Sequence, residues 1–199
     1  MTRTVRTTLA ALALGTTLAL AGCSDAGTGD AGGQPAGTPT STAPASAATA
    51  SDADVMFAQM MIPHHEQAVE MSAIVLAKDG VDERVVALAE QIEAAQAPEV
   101  EQMTAMLERW GADPSGGDHA GHMGGMLDDG ALAALEAAPA EEAQRLFLEG
   151  MVEHHEGAVA MAQDVLADGE DPEVLALAEE IVAAQQEEID AMRSLLTEL

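Results

Sequence analysis

The chain has 199 residues, of which 35 are acidic and 7 basic, for a formal net charge of −28 at pH 7. That balance excludes nucleic acid as a partner and docking on anionic lipid, while it concentrates cations near the surface. A single cysteine excludes an internal disulfide and leaves metal chemistry to Met, His and carboxylates.

In chain order, Arg3 and Arg6 precede an apolar run from Leu9 to Leu20, which ends in Leu20-Ala21-Gly22-Cys23. The run is short against the roughly 20 residues a membrane helix needs, and small residues before a cysteine fit an export signal. The segment resembles the lipobox of bacterial lipoproteins, which implies cleavage before Cys23 and lipidation of Cys23. Residues 1–22 are therefore expected to be a signal peptide. Residues 23–51, rich in Gly, Ala, Ser, Thr and Pro, are expected to be a flexible tether. The expected location is the outer face of the cell membrane, in the periplasm or at the cell surface, with membrane contact only through Cys23. Imidazole and thioether ligands tolerate such an oxidising compartment better than thiolates.

Residues 52–199 hold a duplication. Phe57 to Lys78 aligns with Phe147 to Asp168 without gaps, and after a one-residue deletion Val85 to Leu107 aligns with Val174 to Leu196. Rare residues coincide, so shared alanine bias cannot explain the match. Each copy reads as two helices, because Ala, Leu, Glu, Gln and Met dominate and Gly-containing turns separate the periodic stretches. Apolar spacing in threes and fours runs through Phe57, Met61, His64, Ala68, Met71 and Val75, and again through Phe147, Met151, His154, Ala158, Met161 and Val165. The expected fold is an all-α four-helix bundle built from two duplicated pairs, with repeats at 52–110 and 140–199. Pro63 is expected to kink the first helix; Glu153 replaces it in the second copy.

Between the repeats, 111–130 forms a glycine-rich loop carrying His119, His122, Met123 and Met126. Asp128-Asp129 is expected to cap a short helix reaching Ala137.

The inward stripes contain polar residues where packing alone favours Leu or Ala: His64, His154, Gln96, Gln185, Glu99 and Glu188. Buried unpaired polar groups cost about 1–3 kcal/mol each, so these groups should meet one another or a ligand. Met61, Met71, Met151 and Met161 stand at i−3 and i+7 from the inward histidines, on the same helix face. Thioether with imidazole favours Cu(I), and the chemically similar Ag(I), over hard cations. Taken singly, a Met stripe is core filler and a core histidine is satisfied by a neighbour. The doubled Met-x-x-His-His-Glu segment and a His/Met loop with no core to fill favour metal instead. His65 and His155 lie beside the stripe, and their role stays open. Glu66 and Glu156 read as solvated surface charge, with orienting an imidazole as the alternative.

Enzyme and haem signatures are missing. No Glu-x-x-His for a di-iron site, no Cys-x-x-Cys-His and no His-Glu-x-x-His occurs. Two alternatives to a metal site remain: an acidic helical module for an envelope partner, and a haem or redox bundle with noncovalent ligation. An unperturbed imidazole protonates near 6.5, so metal affinity is expected to fall below about pH 6.

The segments Met-Ile-Pro-His-His-Glu-Gln-Ala-Val-Glu-Met at 61–71 and Met-Val-Glu-His-His-Glu-Gly-Ala-Val-Ala-Met at 151–161 resemble the bacterial family known as domain of unknown function 305. The resemblance implies a ferritin-like four-helix bundle in the cell envelope. Some members of that family are periplasmic copper-binding proteins associated with copper resistance, and the expected role here is to buffer copper, or pass it to a copper-handling partner protein, without catalysis. The implied metal ligands are Met61, His64, His65, Met71, Met151, His154, His155 and Met161. The loop residues His119, His122, Met123 and Met126 make a further implied site.

Overall fold

A computed structural model describes residues 50–114 and 124–199. Cys23 and the loop residues His119, His122 and Met123 lie outside them. The described residues form five helices, α1 (Asp52–Leu76), α2 (Glu83–Trp110), α3 (Asp129–Ala137), α4 (Ala140–Asp168) and α5 (Pro172–Glu198). No strand occurs among the described residues, and no helix there is long and apolar enough to cross a membrane.

Two helical hairpins make the bundle. α1 lies along α2 and α4 along α5, while α1 and α4 pack together at the centre and α3 rests against both of them. Caps define the ends. Ser51 and Asp54 form a capping box at the start of α1, and Asp82 and Asp171 cap α2 and α5 at equivalent places in the two repeats. Asp128 caps α3 as its sequence suggests, its Oδ1 accepting from the Ala131 N–H at 2.8 Å. Pro63 stands inside α1, which continues to Leu76, and α2 carries Pro98 in the same way.

The repeats lock onto each other reciprocally. Asp54, near the start of α1, is fully buried and accepts from the main-chain N–H groups of Glu170 and Asp171, just before α5. Its equivalent in the second repeat, Gln144, accepts from the Asp82 N–H at 3.0 Å, just before α2. Each repeat's first helix thus starts beside the other repeat's hairpin turn, which makes α1 and α4 antiparallel. Burial pushes the Asp54 carboxyl up, but hydrogen bonds from Ser51, Glu170 and Asp171 together hold it below the usual range.

The core divides into two apolar clusters. One holds Met60, Met61, Met103, Met106 and Met161 with Phe57 and Ile181; the other holds Met71, Met151 and Met192 with Phe147 and Ile92. Each cluster contains side chains from both repeats, as an antiparallel α1/α4 pair requires. The four paired histidines, on α1 and α4, belong to neither.

Candidate metal centre

His64 and His154 occupy equivalent positions on α1 and α4, and antiparallel packing brings equivalent mid-helix positions face to face. Their rings lie 3.7 Å apart between centroids, tilted by 42°. His154 and His155 are 6.3 Å apart by the same measure. All four paired histidines are fully buried, which settles the position of His65 and His155: they are core residues like their neighbours.

Three of these imidazoles have an acceptor on Nε2. The His65 Nε2–H faces Glu99 Oε2 at 2.7 Å, and the His155 Nε2–H faces Glu188 Oε2 at 2.8 Å. His64 Nε2 lies 3.1 Å from the Gly124 carbonyl. A carbonyl or carboxylate oxygen only accepts, so Nε2 carries the proton in each case and Nδ1 is left as a bare lone pair. None of the four Nδ1 atoms has a hydrogen-bond partner, and neither does Nε2 of His154.

Apolar packing alone does not account for this layout. A buried polar atom without a partner costs about 1–3 kcal/mol, and several gathered in one layer demand compensation. An acceptor on one ring nitrogen that fixes the tautomer and frees the other is the arrangement found around metal-ligating histidines. Gln96, on α2, is also buried with both amide atoms unpaired, and Gln185 has an unpaired Oε1.

Burial favours the neutral form of His64 and His154. Burial pushes His64 down from its ordinary 6.5 to about 4, against the Gly124 carbonyl, which favours the charged form. His154 is pushed well below its ordinary value, first by burial and then by the neighbouring His64 and His155. Neutral imidazole is the form that donates a lone pair to a metal.

The glycine loop shapes this layer directly. A Cβ at Gly157 would collide with the Gly124 carbonyl, and one at Gly125, where φ is 83°, with the Glu153 carbonyl. Glycines on both sides therefore let the Gly124–Gly125 backbone approach α4 closely and carry the Gly124 oxygen to His64. Gln67, the first-repeat counterpart of Gly157, anchors the same loop by donating to the Leu127 carbonyl at 2.9 Å and accepting from its N–H at 2.8 Å.

The other expected ligands separate. Met61 and Met151 stand one turn before His64 and His154, a rise of about 4.5 Å, whereas Met71 and Met161 lie about 10 Å further along their helices. Met61 shares its cluster with Met161 and Met71 shares its cluster with Met151, so thioethers from different repeats gather on each side of the histidine layer. Met126, half-buried, lines a surface pocket beside Glu149, Gly150 and Glu153. Glu66 and Glu156 are exposed, and Glu156 pairs with Arg193. The imidazole-orienting carboxylates are Glu99 and Glu188, outside the expected ligand set; their inward phase beside Gln96 and Gln185 was the signal. Among the described residues, no group of three or more His, Cys, Asp or Glu side chains is placed to hold a metal ion, so the histidines of this layer can serve a metal only in pairs, with other donors such as thioethers completing the set.

No curated protein matches the chain. Solved structures do. A DUF305 fragment from Deinococcus radiodurans shares 39% identity over 75% of this chain and 99% of its own, with a TM-score of 0.69. A DUF305 protein from Streptomyces coelicolor shares 35% identity over 73% of this chain and 91% of its own, also at 0.69. CopM in its Cu(I)-bound form shares 29% identity over 73% of this chain and 96% of its own, at 0.61; CopM is also known in Cu(II)-bound and Ag-bound forms. The match to the domain of unknown function DUF305 spans residues 54–196, and the chain belongs to that family.

Proposed function

We propose that the chain is a non-catalytic metal-binding protein that takes Cu(I), and equally Ag(I), as cargo, buffering it outside the cytoplasm. The observation that carries this reading is the buried histidine layer, with three tautomers fixed by Glu99, Glu188 and Gly124 and lone pairs left unpartnered inside. In this reading a pair of imidazoles drawn from His64, His65, His154 and His155 supplies nitrogen, and Met61 and Met151, one turn away, supply sulfur. A neutral N/S donor set suits a soft monovalent ion. The copper- and silver-bound forms of CopM support the same cargo.

Export, a lipid anchor at Cys23 and a role in copper resistance belong to the proposal and rest on sequence pattern. His119, His122 and Met123, which precede Gly124 in the sequence, are in this reading a further metal site. The mechanism is ligand exchange, in which incoming metal occupies Nδ1 lone pairs that otherwise have no partner. Anaerobic Cu(I) titration against a chromophoric chelator tests it. Binding tighter than about micromolar is expected. Weaker binding overturns the reading and favours an acidic module for a protein partner.

A further inference from the structure

The duplication is broken at one place. In the second repeat, Gly150 stands where the first has Met60, and Leu127, just before α3, sits over it: a Cβ at Gly150 would lie 3.1 Å from a Leu127 methyl and 3.4 Å from the Met71 methyl. Among the described residues, nothing covers the equivalent place in the first repeat in this way. It is a surface pocket of about 160 Å3 between the start of α1 and the end of α4, lined by Met56, Phe57, Met60, Met161, Asp164 and Asp168 among others.

The chemistry differs along with the cover. Where the open side has Met56, Met60, Asp164 and Asp168, the covered side has Leu146, Gly150, Ile74 and Lys78; Met161 corresponds to Met71, and the apolar Ala53, Phe57 and Val165 to Ala143, Phe147 and Val75. At these equivalent positions, two thioethers and two carboxylates occur only on the open side; beside Gly150 the covered side has the single thioether of Met126, from the loop, with Glu149 and Glu153. Met56 is 43% exposed, and the C-terminal Leu199 is the one other large apolar side chain so exposed among the described residues. It has little packing to do. Met56 and Met60, four residues apart, lie on one face of α1, with Met161 opposite on α4. Neutral sulfur donors select a soft cation, and the two carboxylates offset its charge without needing to bind it.

We propose that Met56, Met60 and Met161 form an outer thioether site for one soft monovalent cation, Cu(I) or Ag(I), separate from the histidine layer. The site rests on the proposed function only for the identity of the ion. Met161 then serves this outer site, two helical turns from His154. The covered side, where Leu146 and Gly150 stand for Met56 and Met60, has no such trio of thioethers at the equivalent positions.

Silver titration of the chain labelled with methyl-13C methionine tests the proposal, with histidine ring resonances followed in parallel. The Met56, Met60 and Met161 methyl signals should shift together and saturate together. In the double variant Met56→Leu/Met60→Leu, which keeps the apolar volume, the Met161 shift should be lost while the His64 and His154 rings still respond. Unmoved Met56 and Met60 methyls beside responding histidines would overturn the outer site and leave the histidine layer standing. Shifting methyls beside static histidines would support the outer site and overturn the histidine layer. Silence in both sets would overturn both.

Discussion

A main-chain oxygen decides what His64 can do. Because the Gly124 carbonyl only accepts, the His64 proton sits on Nε2 and the buried Nδ1 lone pair is left without a hydrogen-bond partner. The Glu99 and Glu188 carboxylates fix His65 and His155 the same way, and such orienting groups are worth about 10- to 100-fold in metal affinity. Glu188→Gln should therefore weaken Cu(I) binding by about that factor without unfolding the protein, and Glu99→Gln should do the same. Chelator competition checks both. Burial also moves the pH dependence. An unburied imidazole would lose metal below about pH 6, but with His64 pushed down to about 4 the proton competes at that nitrogen only in stronger acid. The cost appears in stability instead. The unfolded chain binds a proton near 6.5 and folded His64 only near 4, so metal-free stability is full above 6.5 and declines as pH falls through that window. The loss from His64 is on the order of 3 kcal/mol, and His154 adds to it with the same sign. Denaturant unfolding at pH 7 and pH 4.5 should show the decline, and His64→Leu/His154→Leu should shrink it.

Helices place these residues, and two reciprocal contacts place the helices. Asp54 and Gln144 occupy equivalent positions and each accepts from the backbone before the other repeat's second helix. Asp54 does so as a buried carboxylate that also completes the α1 capping box, so its removal strands several N–H groups at once. Asp54→Ala should cost on the order of 3 kcal/mol and Gln144→Ala about 1 kcal/mol, as measured by chemical denaturation. The glycine contact between the loop and α4 is a second such fixture. Gly157→Ala should push the Gly124 segment away from α4, at about 2 kcal/mol, and weaken metal binding by removing the His64 acceptor.

For the whole molecule, the duplication carried the fold in the sequence. Helical spacing identified the inward stripes, and the stripes put His64 and His154 in the core. Periodicity describes one helix at a time, however, and cannot say which helix faces which. That is why Met61 and Met71 read as one ligand row, although antiparallel packing of α1 on α4 places Met61 with Met161 and Met71 with Met151. It is also why His65 and His155 stayed open: being beside the stripe means exposure on an isolated amphipathic helix, but burial where two helices and a carboxylate close over it. The roles of Gly150 and Gly157 were illegible for a different reason. Each makes room for a segment from the loop, and no local pattern announces a contact made across the chain.

The account stands on the claim that buried Nδ1 lone pairs in the histidine layer bind the metal. Its most direct test is Cu(I) affinity at pH 7, by chelator competition, in the wild type and in a folded His64→Leu/His154→Leu variant. The account predicts a loss of at least about tenfold in the variant. Equal affinity in the two proteins would contradict it.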